Sequence, residues 1–148
     1  MSAWSDLSLP HNLRERLVAE ARAAPDIEIC GFLARGDDGL IRHIITNRSE
    51  RLADRFDMDP AEQIAAFRCM RERRARLIAI YHSHPIGEAV PSRHDIRGHS
   101  YPQAAALIIA PRALSGPGLR AWRLDDAGAK ELELTWHTGA WHDARDAD

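Results

Sequence analysis

Apolar positions along this chain change their period several times, and each change marks an element. From Pro10 to about Ala24, Leu13, Leu17 and Ala21 recur at helical spacing, and Pro25 ends the run. Ile27 to Arg35 reads as a strand, closed by the turn signal Gly36-Asp37-Asp38-Gly39. The β-branched stretch Leu40 to Ile45 returns as the second strand of a hairpin. Asn47 to Arg55 is polar and reads as loop, followed by a short strand from Phe56 to Met58. Asp59-Pro60 opens a second helix with Asp at the N-cap and Pro at the first helical position. That helix turns Ile64, Phe67 and Met70 inward, with Cys69 most simply in the core, and runs to about Arg74. Leu77-Ile78-Ala79-Ile80 reads as a buried strand, Ser92 to about Ser100 as a short helical turn, and Ala104 to Ala110 as a second buried strand. Leu119 to Leu124 and Glu131 to His137 are outer strands, the latter alternating Leu132, Leu134 and Trp136 with polar residues. Residues 139–148 read as a flexible tail. The order predicts a mixed α/β sandwich around one sheet, a single domain spanning residues 1–148.

Composition narrows the function classes. A chain of 148 residues with 45% hydrophobic and 28% charged residues suits one ordinary globular domain. A net charge of −2 gives no overall reason to expect nucleic acid or an anionic membrane as partner. The cluster Arg68, Arg71, Arg73, Arg74 and Arg76 lies near the end of the second helix, where cations suit the helix dipole and a solvated face is expected. No secretory signal and no membrane-length apolar run are apparent. Two cysteines, Cys30 and Cys69, make no disulfide framework, so a reducing cytoplasm is the expected home.

Candidate chemistry concentrates in Tyr81-His82-Ser83-His84-Pro85 and Pro91-Ser92-Arg93-His94-Asp95. On a strand the side-chain period is two, so His82 and His84 share a face and can converge on one ion. Asp95 offers an oxygen ligand. Two imidazoles and a carboxylate leave a fourth tetrahedral position for water, the layout of a catalytic zinc site. Ser92-x-x-Asp95 also reads as a helix-start capping box, and both readings can hold together. Amide hydrolysis at such a site needs a group that takes a proton from water. Glu88, in the loop after the histidines, and Glu28, inside the apolar run Ile27-Glu28-Ile29-Cys30-Gly31-Phe32-Leu33, compete for that role. A carboxylate seldom sits within a core strand without a partner, and a strand holds it more rigidly than a Gly-containing loop, which favours Glu28.

These residues resemble the JAMM (MPN+ or JAB) metallopeptidases: a glutamate near the amino terminus, a His-Ser/Thr-His-Pro segment, and a Ser-x-x-Asp segment after a short loop. The resemblance runs from about Asp26 to Ala110. It implies a cytidine-deaminase-like three-layer α/β sandwich with a mixed central sheet, holding one zinc ion on His82, His84 and Asp95. Glu28 would be the general acid/base, and Ser92 would donate its hydroxyl to the developing oxyanion. Ser83 and Pro85 would shape the motif. The resemblance further implies a small ubiquitin-like sulfur-carrier protein with a Gly-Gly carboxy terminus as partner, cleaved after that glycine to release cysteine or another amine. Removal of a ubiquitin-like modifier from target lysines uses the same residues, and a catalytically silent scaffold of the same fold is the non-enzyme alternative. A cell-wall peptidase is disfavoured by the missing export signal. A cysteine-hydrolase role for Cys30 lacks a His partner in the sequence. His94 and His99 read as exposed or supporting neighbours of the ligands, and His11, His43, His137 and His142 as surface residues.

Overall fold

The computed structural model describes residues 4–146. Eight strands form one mixed sheet in the order β1-β7-β6-β5-β4-β2-β3-β8. The elements are β1 (Asp6–Pro10), α1 (His11–Ala23), β2 (Cys30–Gly36), β3 (Gly39–Ile45), α2 (Pro60–Glu72), β4 (Arg76–Ser83), α3 (Arg93–Gly98), β5 (Ala105–Ile109), β6 (Leu119–Asp125), β7 (Gly128–His137) and β8 (Trp141–Asp143). β4 and β5 run parallel at the centre, and β2 flanks β4 antiparallel.

Two helices cover opposite faces, as the three-layer expectation required. On one face Leu13, Leu17 and Ala21 of α1 pack on Leu33, Ala79, Tyr81, Leu107 and Ile109. On the other, Ala66 and Met70 of α2 pack on Phe32, Ala34, Ile45 and Ile80. Successive residues of β5 alternate between the α1 layer (Ala105, Leu107 and Ile109) and a cluster with Trp122, Leu124 and Ile96 on the other face (Ala106 and Ile108). The strand is therefore buried on both sides and reads as an unbroken apolar run. Each fully buried Leu of α1 contributes about 2 kcal/mol of apolar burial. α2 keeps its sequence grammar, with the Asp59 carboxylate accepting from the Glu62 N–H and Pro60 at N1. Gly31 admits no side chain: a Cβ there would lie 2.3 Å from the His43 carbonyl oxygen and 2.5 Å from the Tyr81 ring. Only glycine lets β2 run that close beneath Tyr81.

Five expectations are corrected. Glu28 is not on a strand: β2 begins at Cys30, because the antiparallel ladder with β3 and β4 starts there. Ile64 is 61% exposed, since Ala66 and Met70 take the inward face of α2. Phe56–Met58 is no strand but a single bridge between Asn47 and Met58. His43 is buried rather than superficial. The expected tail also differs: β8 pairs in parallel with Leu40–Arg42 of β3, and residues 144–146 form a helical turn. The cause is electrostatic. Arg42 is fully buried, and its guanidinium is held by Asp143 of β8 and by both carboxylate oxygens of Glu20 of α1. A buried cation needs such partners, and they stitch the chain end to the sheet. Residues 147–148 lie outside the described set. β1, which the sequence pattern did not announce, adds a parallel edge strand beside β7.

Candidate metal centre

His82 is the penultimate residue of β4, His84 lies just beyond its end, and Asp95 is in the first turn of α3. The strand period carries both imidazoles to the α2 side. Their Nε2 atoms lie 3.1 Å apart. Asp95 Oδ2 lies 3.2 Å from His82 Nε2 and 3.1 Å from His84 Nε2. His82 and Asp95 are buried and His84 partly so. Among the described residues this is the one group of three or more candidate ligands within reach of a single ion.

Each candidate ligand is held by a further contact. His84 Nδ1 donates to the Glu88 carbonyl at 2.9 Å, which leaves Nε2 as the lone-pair atom of the neutral ring. His82 is stacked under Phe56 at 4.4 Å between centroids and 23° between planes. Ser92 and Asp95 form the capping box: the Asp95 N–H donates to Ser92 Oγ at 3.0 Å, and the Ser92 N–H donates to Asp95 Oδ2 at 2.9 Å. One carboxylate oxygen therefore both caps α3 and faces the imidazoles, so the two readings of this segment hold at once.

The donor set fits a cation. Three atoms that can all act as lone-pair donors meet in a nearly equilateral triangle with sides of 3.1–3.2 Å. A shared ion at zinc-ligand distances of about 2.0–2.1 Å is compatible with a triangle of that size. Without a positive charge the convergence of a carboxylate on ring nitrogens is costly, since buried lone pairs need partners. Titration follows the same logic. Burial pushes His82 below its usual range, despite the Asp95 carboxylate beside it. Burial opposes charge on His84 as well, yet its bonds to Asp95 and the Glu88 carbonyl outweigh this and raise it. For Asp95 the burial penalty is overcome by bonds from both histidines, and the carboxyl is held well below the usual carboxylate range.

Glu28 is 3% exposed, and its Oε1 has no hydrogen-bond partner. Burial pushes its carboxyl up to about 8, with His84 pulling it down and Asp95 pushing it up, which places it within electrostatic range of the ligands. Its backbone is held although it lies off the strand. The Ile29 N–H donates to Ser83 Oγ at 2.9 Å, and the Ser83 N–H donates to the Ile29 carbonyl at 2.9 Å. Ser83, the residue between the two histidines, therefore pins the segment that carries Glu28. Two openings border the site: a cavity of about 140 Å³ beside Asp95, walled by Phe56, Met58 and Tyr101, and a groove of about 390 Å³ along Glu28, walled by the exposed Ile27, Ile44 and Leu52.

Other candidates sort by position. The Glu88 carboxylate does not face the ligands; it accepts from the Leu114 N–H, the Ser115 N–H and Ser115 Oγ, and so ties residues 86–90 to the next loop. Ser92 is exposed at the rim; its oxygen accepts from Asp95, and its proton stays available to a neighbouring oxygen. Burial pushes the Cys30 thiol up to about 12 and Glu28 adds to this, and its Sγ donates to the Ile45 carbonyl, which leaves it inert as a nucleophile. His99 Nε2 pairs with the Ala104 carbonyl rather than with the ligands, and His94 is exposed. Phe56 and Glu88 were not assigned these contacts by sequence reasoning. A single Phe beside a polar loop, or a loop carbonyl, carries no periodic signal.

Comparison with known proteins agrees with this architecture. Residues 10–125 match the family of prokaryotic homologs of the JAB domain. A CysO-cysteine peptidase of Mycobacterium tuberculosis is 34% identical over 122 residues, covering 81% of this chain and 84% of that protein. A desampylase of Haloferax volcanii is 29% identical over 114 residues, covering 72% of this chain and 82% of that protein. The solution structure of protein DSY2949 from Desulfitobacterium hafniense superposes with a TM-score of 0.73 at 28% identity, over 88% of this chain and 92% of that one. With its Glu28, its His-Ser-His-Pro segment and its Ser-x-x-Asp turn assembled on this sheet, the chain belongs to the JAB (JAMM/MPN+) family.

Proposed function

We propose that this protein is a zinc-dependent peptidase that hydrolyses the bond after the carboxy-terminal glycine of a small ubiquitin-like sulfur-carrier protein, releasing cysteine or another amine. The observation that carries the reading is the triangle of His82, His84 and Asp95 with the buried carboxyl of Glu28, whose Oε1 has no partner, in electrostatic range. His82, His84 and Asp95 would hold zinc, which when bound supplies a Lewis acid that polarises the scissile carbonyl and acidifies water. Glu28 would take the proton of the attacking water on its carboxylate and pass it to the leaving nitrogen. The Ser92 hydroxyl would donate to the oxygen that becomes negative as the carbonyl is attacked. His84 stays in the tautomer set by the Glu88 carbonyl, and Phe56 shields His82 from water.

The CysO-cysteine peptidase relative supports a carrier–cysteine adduct as substrate. The desampylase relative supports the second reading, removal of a ubiquitin-like modifier from lysine. One experiment separates them. The full-length protein is incubated with a ubiquitin-like carrier joined through its terminal glycine either to cysteine or to a lysine side chain, with and without a chelator. Metal-dependent release of cysteine at the higher kcat/KM is expected. Preference for the lysine adduct would favour the second reading, and no release from either would remove both.

A further inference from the structure

Glu28 has no strand ladder to hold it, yet a general acid/base must be held to a fraction of an ångström. Its N–H donates to the Leu52 carbonyl at 2.5 Å, and its carbonyl accepts from Asn47 Nδ2 at 3.0 Å. Asn47 does more than close this contact. The same Nδ2 donates to the Arg55 carbonyl at 2.9 Å, and Oδ1 accepts the N–H groups of Ser49 and Asp57, each at 2.9 Å. A primary amide has two N–H donors and two acceptor lone pairs, and here all are engaged. Between Arg55 and Asp57 stands Phe56, whose ring lies on His82. One side chain thus joins the backbone of the candidate base to the loop that packs on a candidate ligand.

We infer that Asn47 is a positioning residue for hydrolysis: its amide bonds the Glu28 carbonyl to the Arg55–Asp57 loop, setting Glu28 and the Phe56–His82 stack in one frame. This rests on the proposed role of Glu28 as proton carrier. An asparagine that served the loop alone would need only the bonds to Ser49, Arg55 and Asp57. The bond to Glu28 spans 19 residues of sequence and fixes nothing within the loop.

Asn47→Asp removes the donor side of the amide and keeps the acceptor side. Ser49 and Asp57 retain their acceptor, while the Nδ2 bonds to the Glu28 and Arg55 carbonyls are lost and a carboxylate oxygen faces both. In the metal-loaded, full-length protein, kcat on the glycine adduct should fall roughly 10²-fold, because a displacement of about 1 Å costs that much. KM should stay within about threefold and the metal content should be unchanged, the signature of an interaction used in the transition state. A readout independent of turnover is amide hydrogen exchange followed by NMR in the metal-free protein. The Glu28 amide donates to the Leu52 carbonyl and not to Asn47. It should exchange faster in Asn47→Asp because the segment opens once its carbonyl is released, with Ser49 and Asp57 still protected, whereas Asn47→Ala should release all three. Arg51→Ala, which removes only an exposed ion pair to Asp54, is the control expected to change neither readout. A kcat within twofold of wild type in Asn47→Asp, a fall matched by loss of metal, or an unaltered Glu28 exchange rate would overturn the inference. Should Asn47→Ala not fold, the Asp variant decides alone. If the wild-type protein cleaves no glycine adduct, the functional reading falls, and the exchange rates still decide whether Asn47 holds Glu28.

Discussion

Glu28→Gln is expected to lower kcat on the glycine adduct by roughly 10²–10⁴-fold, the range supplied by a positioned general acid/base, while the metal stays bound. Glutamine matches glutamate in shape and fits the same buried place, but it cannot accept a proton. The proposed ligand atoms are those of His82, His84 and Asp95, so metal content should not change. Substrate contacts outside the reacting centre are also untouched, which predicts an unchanged KM. The measurement is steady-state turnover of the adduct with metal analysis of the same sample. Retention of more than about a tenth of wild-type kcat would take the proton-transfer role away from Glu28.

The same substitution should stabilise the metal-free protein, and the gain should grow with pH. Burial raises the Glu28 carboxyl from 4.5 to about 8 in the folded chain. Between those two values the folded state holds a proton that the unfolded state has released. Stability therefore falls as pH rises through this window and levels off above it. The full effect is on the order of 5 kcal/mol, taking about 1.4 kcal/mol for each unit of the shift. Glutamine does not titrate, so Glu28→Gln lacks this slope. Urea unfolding of both metal-free proteins should give nearly equal stabilities near pH 4.5 and a large advantage for the variant near pH 8. A difference that is flat across this range would contradict the burial of Glu28. Bound metal acts the other way, because a nearby dication favours the carboxylate and relieves the penalty. The strain that burial places on Glu28 would then be relieved only in the loaded site, a stability–function trade-off confined to one residue.

Legibility followed sequence distance. The His82–His84 pair and the Ser92–Asp95 turn are local patterns, so strand period and capping grammar were enough to predict that each pair shares a face. The helix caps at Asp59 and Pro60 were equally local. Glu28 stood out as a charge in an apolar run, yet its backbone state did not, because hydrogen bonds to Ser83, Leu52 and Asn47 replace a ladder there. The carboxy-terminal strand was misread for a similar reason: Asp143 is polar in sequence and is ordered by Arg42, 101 residues away. Leu7 and Leu9 give β1 only two apolar positions, too short an alternation to announce a strand. Ile64 misled because helical spacing alone does not say which apolar stripe faces the sheet when Ala66 and Met70 offer another.

The central claim is that His82, His84 and Asp95 form a metal centre, and metal content tests it most directly. Native mass spectrometry and elemental analysis of the purified protein, with His82→Ala alongside, should find about one zinc per wild-type chain and almost none in the variant. An absence of metal in the wild-type protein even after reconstitution, or equal metal in both proteins, would contradict the account and leave the chain as a binding module on a hydrolase fold.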